Sequence, residues 1–92
     1  MICLIAYDLR EPRSPADYAK VIEAIKGFGP WMRVEQSVWI IESNQTHIQV
    51  RDYLSNFVRV QDALFVGHLG AAAWNSGLDE ERKNWLMERK SW

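Results

Sequence analysis

Apolar residues fall along this chain in two rhythms. Ile2 through Tyr7 form an unbroken run, mostly branched or aromatic, ended by Asp8. No polar residue interrupts either side of the pleat, so the run predicts a strand buried on both faces, central in a covered sheet. Ser37-Val-Trp-Ile-Ile-Glu42 repeats the pattern and predicts a second central strand. Trp31 to Val34 is short and follows Pro30, which places it at a sheet edge, with Glu35-Gln36 as the turn into the next strand. Asp62 to Leu69 reads as a fourth strand.

Between these runs the period changes to three and four. Tyr18, Val21, Ile22, Ile25 and Phe28 form one stripe, preceded by Ser14, Pro15 and Asp17 as N-cap, first helical residue and capping-box partner. This predicts a helix over 15–28, stopped by Gly27, Gly29 and Pro30. A second helix over 46–57 carries Val50, Tyr53, Leu54 and Phe57, capped by Asn44 or Thr46 with Gln49 three residues after Thr46. Gly70 to Trp74 fits neither pattern. A third helix, over about 77–90, is capped by Asn75 or Ser76, with Asp79, Glu80 and Glu81 early and Arg89 and Lys90 late, as the helix dipole favours. Leu78, Trp85 and Leu86 give it an apolar side.

The order β-α-β-β-α-β predicts an α+β, ferredoxin-like domain spanning 1–92, with an antiparallel sheet in the order 4-1-3-2 and an added C-terminal helix. Both apolar runs fall on the central strands of that order, so pattern and topology agree. One sheet face carries no helix in this topology, yet the central strands are apolar on both sides. The C-terminal helix covers part of that face, and a second copy of the chain is expected to cover the rest, giving a homodimer.

Composition narrows the picture. The 92 residues are 48% hydrophobic and include five Trp, and 11 basic residues stand against 12 acidic ones with no basic block. Nucleic-acid binding would therefore need a local patch or one made by oligomerisation. The lone Cys3 inside the first strand fits a reducing, cytoplasmic setting. The apolar N-terminus is too short for a membrane span and lacks the basic leader of a signal peptide, so no membrane association is expected. Trp39 should be well shielded and Trp92 exposed. Trp74, Trp85 and Trp92 suit packing better than stacking on bases.

Asp8 stands where a buried strand meets solvent, a position suited to a metal ligand or general base and equally to a turn cap. The predicted topology sets it beside Gln36, Ser37 and Asp62, so paired carboxylates at one rim could take a hard cation such as Mg²⁺. Asp62 alone reads as a turn residue. His68 falls at the far end of the sheet as a partly buried structural residue, and His47 reads as solvated. No Cys or His spacing indicates zinc, no nucleophilic triad can assemble, and the glycines lack a phosphate-loop pattern.

Tyr7-Asp8-Leu9, the Gly-terminated helix and Glu35-Gln36-Ser37-Val38-Trp39 resemble the small CRISPR-associated proteins of the Cas-two family, with VapD-type ribonucleases as cousins. Trp31 with Trp39, and Ala72-Ala73-Trp74, look most similar to a SinR-like bacterial group. The resemblance implies a ferredoxin-like homodimer in which Asp8 of each subunit meets its mate at the two-fold axis and binds a divalent metal for endonuclease activity on RNA or DNA. It matches Ser37 to the family serine, with Trp39 replacing Phe and Glu35 replacing Gln, and finds the basic residues after the aspartate in Arg10 and Arg13. Two readings follow: a Mg²⁺-dependent endonuclease using Asp8 with Ser37, Asp62 and Arg10 as auxiliaries, or a non-catalytic scaffold of the same fold.

Overall fold

A computed structural model describes residues 1–89. The strands are β1 (Ile2–Asp8), β2 (Trp31–Glu35), β3 (Val38–Glu42) and β4 (Ala63–His68), and the helices are α1 (Pro15–Lys26), α2 (His47–Leu54) and α3 (Glu80–Met87). The sheet runs β2-β3-β1-β4 with every neighbouring pair antiparallel. Read from the other edge this is the predicted order, so the fold is ferredoxin-like with a C-terminal helix added.

The alternation of β1 builds two cores. Cys3, Ile5 and Tyr7, with Leu9 beyond the strand, point to the side of α1 and α2, where Val21, Ile25, Trp39, Ile41, Val50 and Leu54 join them. Ile2 points the other way and meets Met32, Ile40 and Leu86 of α3. Each such apolar side chain taken fully from water contributes about 1.5–3 kcal/mol, so the first core dominates.

Local chemistry sets the boundaries, and several differ from the sequence reading. Ser14 accepts from the Asp17 N–H while the Asp17 carboxylate accepts from the Ser14 N–H, and Thr46 and Gln49 repeat this reciprocal cap on α2. Helix α1 ends at Lys26 rather than at 28, and Gly27 caps it in the ordinary helical region. The glycine the turn requires is Gly29, at φ 140°, where a Cβ would stand 2.9 Å from the Glu42 carbonyl oxygen. Helix α2 stops at Leu54 and finishes as a 3₁₀ turn to Phe57.

The largest revision concerns α3, which starts at Glu80. Its N-cap is Asp79, whose side chain accepts from the Arg82 N–H. Asn75, expected as a cap, instead accepts from the Gly77 N–H in a tight turn. Lys90 and Trp92 lie outside the described residues. No described helix is long and apolar enough to cross a membrane.

Helix α3 covers part of the second face, over Ile2, Met32 and Ile40, with Leu69, Trp74 and Leu78 packed beside it. Leu4 and Ala6 on β1 remain half-buried, and Phe65 on β4 is 63% exposed.

Candidate functional site

The C-terminal end of β1 is fixed from both sides. Ala6 lies opposite Val38, the Tyr7 N–H donates to the Ser37 carbonyl at 3.2 Å, and Asp8 lies opposite Ala63. Gln36, Ser37 and Asp62 therefore stand at the same rim as Asp8, as the topology required. The side chains, however, separate. Alternation puts Asp8 on the face of Leu4, Ala6 and Phe65. The Asp62 carboxylate lies on the other side, among Leu9, Asp17 and Phe57 beneath α1.

The two carboxylates are also held differently. The Asp62 side chain is 2% exposed and receives four donors: the Arg10 N–H at 2.8 Å, the Arg59 N–H at 2.8 Å, and Arg59 Nε and Nη2 at 3.2 and 3.1 Å. The Arg59 side chain, followed by its main-chain N–H, lowers the Asp62 pKa to about 2. The same hydrogen bond raises the Arg59 pKa. Arg59 also donates to the main-chain carbonyls of Arg10 and Pro12. Together Arg59 and Asp62 tie the loop after β1 to the start of β4, and Asp62 has no coordination to spare. Asp8 is 63% exposed and has one ionic partner among the described residues, Arg10 Nε at 3.1 Å. An ion pair so wet contributes little and parts easily.

Ser37 sits in the β2–β3 turn rather than on the strand. It offers its carbonyl to Tyr7, and its side chain borders a groove against α1. Among the described residues no three His, Cys, Asp or Glu side chains are grouped to hold a metal ion. At this rim the Asp62 carboxylate is taken up by its donors, and Asp8 is the exposed aspartate. His68 pairs with Cys3 at the opposite end of the sheet, as expected, but it is exposed, and the half-buried His47 ring lies parallel to it at 6.5 Å.

Sequence reasoning missed Arg59. Its i,i+3 spacing from Asp62 was the available signal, but the reach to Arg10 and Pro12, nearly 50 positions away, depends on β1 and β4 being neighbours.

No protein-family model matches this chain. The fold is similar to that of a solved structure, Cas2 from Streptococcus pyogenes, with a TM-score of 0.60 and 20% identity over 100% of this chain and 99% of the other. At that identity the likeness establishes the ferredoxin-like, Cas2-like fold.

Proposed function

We propose that this chain is a CRISPR-associated protein of the Cas2 type, nearest the SinR-like group, acting as a homodimeric, Mg²⁺-dependent endonuclease on RNA or DNA. Asp8 from two copies would supply the metal ligands. The observation that carries this reading is placement. Asp8 emerges exposed from a buried central strand, on the face where Phe65 is exposed and Leu4 and Ala6 are only half-buried. A second copy docked there would bury those side chains and bring a second Asp8 to the same rim. One chain alone does not fit a divalent ion, because hard cations take several oxygen ligands and no three His, Cys, Asp or Glu side chains are grouped among the described residues. The buried, free Cys3 accords with a cytoplasmic protein.

A second reading, a non-catalytic nucleic-acid-binding or protein-interaction scaffold, is favoured by the Asp8–Arg10 ion pair. In it Asp8 already has its counter-ion and the fold alone is used.

Asp8→Asn separates the two, since it keeps the shape and removes the charge. The dimeric endonuclease reading expects Mn²⁺ or Mg²⁺ to raise the melting temperature of the unmutated protein and not of the variant. Cleavage of single-stranded RNA or duplex DNA should disappear with the substitution. If metal leaves the unmutated protein's melt unchanged and no substrate is cut, the scaffold reading stands.

A further inference from the structure

On the opposite face from Asp8, a groove of about 630 Å³ runs between α1 and the β2–β3 turn. This falls within the size range of small-ligand sites. Its walls include Arg13, Arg33, Tyr18, Ile22 and Ser37.

The two arginines are prepared in the same way. The Arg33 guanidinium lies over the ring of the fully buried Trp39, 4.7 Å from its centroid, and donates Nε and Nη2 to the Gln36 carbonyl at 3.1 and 2.7 Å. Arg13 lies over the Tyr18 ring at 5.7 Å and donates Nη1 to the Leu9 carbonyl. Each is held by a ring and a main-chain oxygen, so neither must be ordered when a ligand arrives. Each also keeps a nitrogen free: Arg33 Nη1 and Arg13 Nη2 have no hydrogen-bond partner among the described residues. Fixed guanidinium groups, each with an unused nitrogen, match phosphate oxygens, and the Tyr18, Pro15 and Ile22 surface beside them suits a base or sugar.

We propose that this groove binds a nucleotide through its phosphate, with Arg33 and Arg13 as the phosphate donors. Glu11 borders the same groove, 3.6 Å from Arg13 Nε with its side chain 77% exposed, and is the anion that an incoming phosphate displaces. Phosphate binding here does not use the Asp8 carboxylate, so the site survives if the Asp8 reading fails.

The test is an amide-shift titration of the full chain with adenosine 5′-monophosphate, inorganic phosphate and a short oligoadenylate as separate probes. Nucleotide should saturate shifts at Tyr18, Arg33 and Ser37, and do so equally in the Asp8→Asn protein. The tighter of the two nucleotide probes identifies the source as a free nucleotide or a strand. Arg33→Lys, which keeps the charge and loses the fork, should weaken binding about tenfold, as should Arg13→Gln. Glu11→Gln should tighten it several-fold. Arg13 and Glu11 are exposed, so their variants decide the matter even if Arg33→Lys folds poorly. Shifts elsewhere, no shifts, equal affinity for inorganic phosphate, or indifference to Arg13→Gln and Glu11→Gln would each overturn the proposal.

Discussion

On the face under α1 and α2, Cys3, Ile5, Trp39, Ile41, Val50 and Leu54 are sealed from water, and the aspartate at that face's rim is saturated with donors. On the other face one eight-residue helix and the stretch before it cover Ile2, Met32 and Ile40, Phe65 stands in solvent, and the aspartate at the rim is exposed with one loose partner among the described residues. Two carboxylates at one sheet rim thus belong to different worlds. Burial makes Asp62 a structural tie, whereas exposure leaves Asp8 available. Closeness at a rim does not make two residues one site when the pleat sends them to opposite faces.

The contrast breaks most severely at Trp39. Trp39→Ala should cost about 3–5 kcal/mol in a denaturant titration, since a large cavity opens in the sealed face. A cost below about 1 kcal/mol would mean that this face repacks freely.

Asp62→Asn comes next. It keeps the shape but puts an amide nitrogen against Arg59, and should lower the melting temperature by roughly 5–10 °C at neutral pH. The pH dependence has a definite sign. A carboxyl depressed from its ordinary 3.8 to about 2 contributes stability above pH 3.8, lost as the pH falls towards 2. The difference between unmutated and Asp62→Asn melts should therefore shrink across that window. A constant difference would show that the Arg59 contacts do not act through charge.

On the open face, Phe65→Ser should change the stability of one chain by no more than about 0.5 kcal/mol, as for other surface positions. Its effect should appear in light scattering, as a shift from dimer to monomer at tens of micromolar. If the unmutated protein is already monomeric there, the uncovered face is not where two copies meet. The smallest effect belongs to Asp8→Asn without metal. Its melt should match the unmutated protein or lie slightly above it, because the Asp8–Arg10 pair is exposed and a facing Asp8 would repel.

Much of the fold was legible because each central strand announces itself. Ile2–Tyr7 and Val38–Ile41 have no polar side, and only central strands tolerate that. Ser14 with Asp17 marked one helix start and Thr46 with Gln49, weighed beside Asn44, marked the other, since reciprocal caps depend on neighbours in sequence. At the start of α3 the sequence pointed to Asn75 or Ser76 and put Asp79 inside the first turn; the cap is Asp79, because the choice rests on which side chain reaches a free N–H. At the rim, topology placed Gln36, Ser37 and Asp62 beside Asp8. The facing of Asp62 was not legible, since it lies before β4 and its orientation is set by Arg59. The arginine pair of the groove was likewise invisible, as Arg13 and Arg33 border one groove only because the fold sets α1 across from the β2–β3 turn.

Helix α3 has a consequence in time rather than in space. It is eight residues long, buries Leu86, and is joined to β4 by the irregular stretch from 69 to 79. The Arg82 side chain binds the Arg33 carbonyl at 2.7 Å, but the sheet's own ladders do not pass through it. A helix this short does not persist alone in water, and its opening leaves the β1–β3 and β1–β4 pairings whole. Its amides should exchange with solvent well before those of β1, and each opening briefly bares Ile2, Met32 and Ile40 to whatever is near.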